Sequence, residues 1–279
     1  RHTNLYENED LPTPPYDTHK ETFKGKPKWQ RKKTFGFDWK KNLPIPLELP
    51  EQEWPINYDR NMDLLRCLSS IDESLGKVLA TLEEMGELDN TVIIYSSDNG
   101  YFMGEHTYLD KRLAYENSMR VPMVIRYPEL IHKNTTVKQK CLNIDLAPTI
   151  LNLAGLDIPN YMQGESMVDL LKGNDVDDWR DAILFEYFKD TYWPYAGPNQ
   201  IAVRTDRYKL VDCFLKNDID ELYDLQTDPG EMTNLINDSS YDAVEQDLRE
   251  QAILLKKQFK YNPNRDWWLK KVMNSKRIK

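Results

Sequence analysis

An aspartate, an asparagine and a glycine follow a β-branched segment near the middle of the chain. Residues 91–95 read TVIIY, which is typical of a buried strand, and Asp98, Asn99 and Gly100 come soon after it. Adjacent side chains on a regular strand point to opposite faces of the sheet. Asp98 and Asn99 can therefore bind the same ion only where the strand gives way to a turn, which Gly100 permits. Carboxylate and amide oxygens are ligands of a hard cation such as Ca²⁺. We therefore expect Asp98 and Asn99 to hold one divalent ion, although Asp-Asn-Gly is also a common turn without further role.

Two further side chains in the next segment could act on a substrate held by such an ion. Lys111 could bind a non-bridging oxygen of an anionic ester and stabilise charge that develops in the transition state. The alternative is a surface ion pair with Asp110 or Glu116. His106 could donate to the leaving oxygen or to the substrate, or could be a plain hydrogen-bonding residue. With the two metal candidates, Lys111 and His106 predict a site for an anionic ester.

The elements around this site alternate as they do in an α/β sheet. We expect a helix over 57–86 and strands over 91–96 and 121–126. A further helix over 144–154 has Pro148 in its first turn. The helix over 57–86 is predicted by an apolar stripe of Leu64, Leu68, Ile71, Leu75, Val78 and Leu82. This order of elements predicts an α/β sheet flanked by helices.

The pattern changes after residue 174. The elements predicted there are strands over 182–187, 201–204, 208–211 and 221–224, followed by an amphipathic helix over 241–259. Such a series is typical of a small antiparallel sheet with one helix packed across it. We therefore expect one domain over 1–174 and a smaller α+β subdomain over 175–279.

The first part of the chain, 1–56, is rich in proline and predicts an irregular loop region. Within it, residues 20–41 interleave lysines such as Lys26 with aromatic residues such as Trp29. This segment could be a solvated loop with its aromatic rings tucked under the domain. It could also be a binding edge for an acidic glycan, in which aromatic faces contact the sugars and lysines contact the anions.

Composition excludes several classes of function for the 279-residue chain. The net charge of −9 argues against broad nucleic-acid binding, which needs a basic face. No stretch approaches the roughly 20 apolar residues of a membrane span. The three cysteines, Cys67, Cys141 and Cys213, show no CxxC spacing, so we expect neither a disulfide scaffold nor a zinc site. Buried, unreactive positions are the simpler expectation for Cys67 and Cys141.

Taken together, these motifs resemble the second half of the type I sulfatases, in the alkaline phosphatase superfamily. The resemblance spans about residues 57–235 and is closest to the glucosamine-6-sulfatase-like branch. Its blocks are Ser97–Tyr101, Gly104–His106, Asp110–Arg112, Tyr115–Glu116, Asn143–Ile150, Leu153–Gly155, Gly164–Ser166, Arg204–Lys209 and Glu221–Glu231. The order of the blocks is far more specific than any one of them. The resemblance implies an alkaline-phosphatase-like fold, present here in part.

The resemblance also implies roles for individual residues. Asp98 and Asn99 match two calcium ligands of the family, and Lys111 matches its sulfate-binding lysine. His106 stands where many members have a histidine near the substrate, although members differ there. The family's nucleophile is a formylglycine made within a Cys/Ser-x-Pro-x-Arg motif. The implied substrate is a sulfate ester of a sulfated carbohydrate, with 6-O-sulfated amino sugars favoured.

The sequence departs from the family in lacking that nucleophile motif. None of its cysteines is followed by x-Pro-x-Arg, and the family's early pair of metal-binding aspartates is also absent. We therefore expect formylglycine to lie outside this chain, on the N-terminal part of the same enzyme, and we expect residues 1–279 alone to be inactive. Members of the family are mostly extracellular, periplasmic or lysosomal, and the resemblance implies the same here.

Two rival functions stay open. One is a phosphodiesterase or phosphonate hydrolase of the same superfamily, whose upstream nucleophile could be threonine, serine or formylglycine. Such enzymes usually have histidine metal ligands downstream of the loop, and the only later histidine here is His132. The other rival is a glycan-binding pseudoenzyme that retains the fold without turnover.

Overall fold

The structure, a computed structural model, describes residues 2, 4–9, 24–27, 30, 34–38, 43–46, 58–103, 105–187, 199–213 and 219–260. The chain divides into two compact units. The first unit comprises Arg1–Pro15, Pro55–Leu109 and Arg120–Arg180, and the second comprises Tyr16–Trp54, Asp110–Met119 and Asp181–Lys279. The predicted boundary near residue 175 lies close to Asp181, where the last segment of the second unit begins. Residues 16–54 and 110–119 also cluster with that segment.

The first unit contains a long helix and a small antiparallel sheet. Its elements are α1 (Tyr58–Glu84), β3 (Ile93–Ser96), β4 (Phe102–Met103), β6 (Met123–Arg126), α3 (Leu146–Leu153) and α4 (Val168–Leu171). Strand β5 (Leu109–Asp110) lies where the chain passes from the first unit to the second, and α2 (Glu116–Met119) follows it. Strands β3 and β6 pair in register from Ile93 opposite Arg126 to Ser96 opposite Met123.

The core of the first unit lies on one face of β6. Met123 and Ile125 pack against a buried cluster of Met167, Leu170, Leu171 and Trp179. The intervening Val124 points the other way and is 62% exposed. Strand β6 is therefore covered on one face only within the described residues, and β3, predicted to be a buried strand, is half-buried.

Helix α1 confirms the helix predicted over 57–86, but much of its predicted core face is exposed. Leu68, Ile71 and Val78 are 44%, 48% and 53% exposed. Residues 2–9 instead lie along a more polar side of the helix, where the Tyr6 hydroxyl is 2.8 Å from the Ser69 hydroxyl. Cys67, expected to be buried, is exposed, whereas Cys141 contributes to the core.

The second unit is built on a four-stranded antiparallel sheet. Its strands are β7 (Ile183–Tyr187), β8 (Gln200–Arg204), β9 (Tyr208–Cys213) and β10 (Glu221–Asp224), in the order β10-β9-β8-β7. Helix α5 (Asp242–Gln258) packs through Leu248 on Val203, Leu210 and Leu222. This arrangement confirms the predicted subdomain of an antiparallel sheet with a packed helix.

The opposite face of this sheet carries the segment that contains the lysine candidate. Ala114 and Met119 pack against Ala202 and Val211, which alternate along the strands with the residues that face α5. The side chain of Lys209 also lies on this face. The sheet is therefore covered on both faces within the second unit.

The proline-rich first part of the chain contains one element that the sequence did not predict. Strands β1 (Thr34–Asp38) and β2 (Leu43–Pro46) pair antiparallel, with an irregularity between Thr34 and Phe37. The aromatic residues Phe23, Trp29 and Trp39 of the predicted glycan edge lie outside the described residues. No helix among the described residues has the length and apolar character needed to cross a membrane.

Candidate active site

The two predicted metal ligands lie on the bend that follows β3. Asp98 is exposed and Asn99 is half-buried. The Ser97 hydroxyl donates to the Asn99 carbonyl oxygen at 2.9 Å, and the Asn99 Nδ2 donates to the Gly100 carbonyl oxygen at 2.7 Å. Because the amide nitrogen of Asn99 is used inside the bend, its side-chain oxygen is the atom left to accept or to ligate. The bend thus presents a carboxylate and an amide oxygen from adjacent residues.

Asn143, which the sequence indicated only as part of a motif, contacts the backbone of this bend. Its Nδ2 donates to the carbonyl oxygens of Ser97 and Asp98, at 3.0 and 2.9 Å. Asn143 begins a 3₁₀ turn (Asn143–Asp145) directly before α3. The two segments are far apart in sequence, so no local pattern could have revealed the contact.

The chemistry of this donor pair suits calcium, but the pair does not complete a site. Ca²⁺ takes six to eight oxygen ligands, and Asp98 and Asn99 offer oxygen donors of the preferred kinds. Among the described residues, no group of three or more His, Cys, Asp or Glu side chains is placed to hold a metal ion. Further ligands would therefore have to come from other groups, as in a site assembled from several segments.

His106 lies in the same unit as the metal candidates and is fully buried. It belongs to a short 3₁₀ turn (Glu105–Thr107) and has a left-handed backbone, with φ 51° and ψ 24°. Its ring is edge-on to that of Phe102, at a centroid distance of 6.4 Å. Glu105 fixes the start of the turn, since its Oε2 accepts from the Met103 amide at 2.6 Å. The role of His106 toward a substrate stays a prediction.

Lys111 belongs to the second unit and is half-buried at the start of a firmly held segment. The next residue, Arg112, has a φ of 94° and donates from its amide to the Ser118 hydroxyl at 3.0 Å. Leu113 is buried, and the Ala114 amide donates to Gln200 Oε1 at 3.1 Å. These contacts fix the backbone on the carboxyl side of Lys111 against the sheet.

An ion-pair cluster holds the same segment at Glu116. Its carboxylate lies 3.2 Å from the Lys209 ammonium and 3.2 Å from the Arg204 guanidinium. Glu231 also contacts Lys209, and its Oε2 accepts from the Glu116 amide at 2.7 Å. The alternative in which Lys111 pairs with Glu116 is not what the structure shows, because other cations surround that carboxylate.

The pKa values of the two carboxylates in this cluster, Glu116 and Glu231, are shifted in opposite directions. Burial acts to raise the pKa of Glu116, but the charges of Lys209 and Arg204 outweigh it, and the net pKa lies below its ordinary value. Burial raises the pKa of Glu231, which lies deeper and next to the charged Glu116. Glu116 therefore keeps its negative charge to a lower pH than Glu231 does.

A second buried network joins the segment to Lys26 and Gln30. The Lys26 ammonium lies 2.6 Å from the Tyr223 hydroxyl and 3.3 Å from the Tyr115 hydroxyl. Gln30 Nε2 donates to the Tyr115 hydroxyl at 2.7 Å and to Glu221 Oε1 at 2.9 Å. Lys26 is fully buried, so this lysine of the predicted glycan edge is not available to a glycan. Burial, followed by Glu221 and Tyr115, raises the pKa of Tyr223 well above its ordinary value.

The chain is similar to known proteins over most of its length. The profile of the family described as sulfatase matches residues 8–156, and that described as N-sulphoglucosamine sulphohydrolase, C-terminal, matches residues 104–258. An N-acetylglucosamine-6-O-sulfatase of Bacteroides thetaiotaomicron is 38% identical over 206 residues, which cover 72% of this chain and 36% of that protein. The chain thus spans about a third of the length of that curated relative.

Solved structures support the same fold. A structure described as a complex with its substrate D-glucosamine-2-N,6-O-disulfate superposes with a TM-score of 0.82 at 27% identity, covering 94% of this chain and 63% of the other. The phosphonate monoester hydrolase of Agrobacterium radiobacter superposes with a TM-score of 0.66 at 28% identity, covering 79% of this chain and 46% of the other. The predicted alkaline-phosphatase-like class of fold is therefore confirmed.

Proposed function

The chain belongs to the sulfatase family, and from that premise we propose that it is the C-terminal portion of a calcium-dependent sulfatase that hydrolyses sulfate esters of a glycan. The observation that carries the proposal is the Asp98–Asn99 bend at the end of β3, in a chain matched by that family from residue 8 to residue 156. A 6-O-sulfated amino sugar is the favoured substrate, because the similar proteins include an N-acetylglucosamine-6-O-sulfatase and one with a disulfated glucosamine.

In this proposal Asp98 and Asn99 supply two oxygen ligands of the calcium ion, which when bound would neutralise charge on the sulfate group. Lys111 binds a sulfate oxygen and stabilises the charge that develops as the ester bond breaks. His106 lies near the substrate and donates a hydrogen bond or a proton to it. The buried clusters around Tyr115 and Glu116 hold the segment that follows Lys111, so the backbone that carries this lysine need not be ordered at each turnover.

The nucleophile, expected to be a formylglycine, is proposed to lie on an N-terminal part of the same enzyme. The exposed apolar residues of α1 and β6 support this proposal, because a helix stripe and a sheet face of this kind normally pack against further structure. The proposed location is extracellular, periplasmic or lysosomal, where sulfated glycans occur.

A phosphonate or phosphodiester hydrolase is the second candidate, favoured by the similarity to the Agrobacterium enzyme. His132, the histidine available downstream for a second metal, is exposed, and its backbone carbonyl accepts from the Thr135 hydroxyl at 2.8 Å. Two-metal chemistry therefore has little support among the described residues. A pseudoenzyme would bind calcium and sulfate without turnover.

The test is a substrate comparison on the complete enzyme that contains this chain. We expect release of sulfate from N-acetylglucosamine 6-sulfate and little hydrolysis of a phenyl phosphonate ester. Asp98→Asn and Lys111→Met should each lower kcat/KM by about 10²–10³-fold, whereas Lys133→Met, at an exposed lysine, should leave it unchanged. Faster turnover of the phosphonate ester would favour the second candidate, and binding of both ligands without hydrolysis would favour the pseudoenzyme.

A further inference from the structure

We infer that Asn143 is a positioning residue that fixes the orientation of the Asp98–Asn99 metal-binding bend before any ion arrives; the inference rests on the function proposed above for that bend. One amide group of Asn143 donates to two consecutive carbonyl oxygens, those of Ser97 and Asp98. Because both acceptors are backbone carbonyl oxygens, the contact fixes the course of the backbone directly after β3.

The direction of these carbonyl groups decides which oxygens a metal ion can meet. Since the Asp98 carbonyl accepts from Asn143, it points toward the 3₁₀ turn that carries Asn143, and the carboxylate of Asp98 is the group left to ligate. The Asn99 amide is held from the other side by the Gly100 carbonyl. A bend fixed in this way does not have to be ordered when the ion binds, which favours affinity.

Asn143 can hold the bend because its own backbone is tied to a buried ion pair. Asp145, fully buried, accepts from the Leu142 amide at 2.7 Å and from the Glu165 amide at 2.9 Å. Both of its oxygens also face the Arg180 guanidinium, with Nη2 2.7 Å from Oδ1. Arg180 in turn lies over the Trp179 ring and donates to the Lys140 carbonyl at 3.0 Å.

The result is a continuous chain of contacts from the core of the first unit to the proposed ligands. The Asp145–Arg180 pair fixes the 3₁₀ turn, the turn carries Asn143, and Asn143 fixes the bend. All of these residues lie in the first unit, so this series of contacts needs no residue of the second unit. Asparagine fits this position because an aspartate would present oxygen, not a donor, to the two carbonyl groups.

The experiment compares Asn143→Ala with Asn152→Ala in the full chain. Asn152 is an exposed asparagine in α3 whose side chain accepts from the Ser166 hydroxyl at 2.8 Å, so its loss removes a similar hydrogen bond away from the bend. Amide hydrogen exchange over residues 97–100 is measured on the chain without metal. Ca²⁺ affinity is measured on the complete enzyme that contains this chain, by titration of the metal alone. Thermal unfolding of each protein reports whether the fold is retained.

For Asn143→Ala we expect faster exchange over residues 97–100 and a Ca²⁺ affinity about 10–100-fold weaker, with a thermal midpoint close to that of Asn152→Ala. Equal exchange rates in the two variants would overturn the positioning role. A failure of the unsubstituted complete enzyme to bind Ca²⁺ would count against the proposed metal site instead, and the exchange rates would still decide the role of Asn143. Restoration of slow exchange by Asn143→Gln would further support a donor requirement.

Discussion

The ion pairs of Glu116 hold the segment that follows Lys111, and their contribution to the free energy of unfolding can be measured through its dependence on pH. The pKa of Glu116 in the folded protein lies below the ordinary value of 4.5, because Lys209 and Arg204 outweigh the effect of burial. A carboxylate of this kind stabilises the fold fully above pH 4.5, and its contribution is lost as the pH falls through the folded pKa. Glu116→Gln should therefore lower the free energy of unfolding at pH 7 by about 2–3 kcal/mol.

The measurement is urea unfolding of both proteins at pH 7 and at successive pH values below 4.5. The difference between them should shrink toward the acidic end. Burial raises the pKa of Glu231 and the charge of Glu116 adds to this, so Glu231 titrates differently in the two proteins and the difference between the curves reports both carboxylates. Glu129→Gln, which removes an exposed acceptor of the Tyr127 hydroxyl, should change the unfolding free energy by less than about 0.5 kcal/mol. A difference for Glu116→Gln that does not depend on pH would contradict the assignment of its charge.

Individual residues were predictable from the sequence only where their chemistry followed from local pattern. The position of Asp98 and Asn99 on a bend was predictable, because a strand pattern ends just before a turn sequence; their role as metal ligands stays a prediction. Asn143 and Lys26 were not assigned their roles, because their partners are distant in the chain and hydrogen bonds across space leave no spacing to detect. From the sequence alone Lys26 is expected at the surface, since a lysine close to proline and aromatic residues gives no sign that two tyrosines will enclose it.

At the scale of elements, a close approach between two loops explains the Gly164–Ser166 motif. A Cβ atom on Gly164 would lie 2.0 Å from the Ile144 carbonyl oxygen and 2.9 Å from the Asp145 amide nitrogen, both backbone atoms that cannot rotate away. This approach lets the Glu165 amide reach the Asp145 carboxylate. Gly164→Ala should thus separate the segments and cost about 3 kcal/mol of unfolding free energy.

Gly76→Ala is the matched control for that substitution. Gly76 lies within α1 with no atom within 4 Å of an added Cβ, so alanine should stabilise the helix by about 0.5–1 kcal/mol. Urea unfolding of the two variants measures both values. A Gly164→Ala protein as stable as the unsubstituted chain would show that the two segments can separate without loss, and that the glycine is not required by packing.

Elements were predicted well where an apolar period or a turn sequence marks them. The strand at Glu221–Asp224 and the helix at Asp242–Gln258 lie within a residue of their predicted ends. The β1–β2 hairpin was missed, because Leu43–Pro46 alternates with proline, which removes backbone donors and is uncommon in strands. Residues 110–119 were assigned to the first part of the chain by sequence order, whereas their contacts lie with the later sheet.

At the scale of the whole molecule, the exposed apolar stripe of α1 is relevant to whether this chain needs another polypeptide for activity. Ile71 and Val78 lie on one face of the helix, and residues 2–9 lie along a different, more polar side, through Ser69, Ser70 and Glu73. A helix of a finished domain normally buries such a stripe. With the nucleophile motif absent from the chain, this face is the proposed contact with the N-terminal part of the enzyme.

We accordingly expect purified residues 1–279 to release no sulfate from N-acetylglucosamine 6-sulfate, and expect hydrolysis once the polypeptide that carries the nucleophile is added. Ile71→Glu combined with Val78→Glu should prevent this recovery, because two carboxylates would be buried without partners at the contact. The same substitutions should leave the stability of the isolated chain nearly unchanged, since both side chains are exposed there. Ala80→Glu, at an exposed position across the helix from Ile71, should still permit recovery. Hydrolysis by the chain alone would refute the proposal of a divided active site. Recovery of hydrolysis in the double variant would show that the contact lies on another face of the chain.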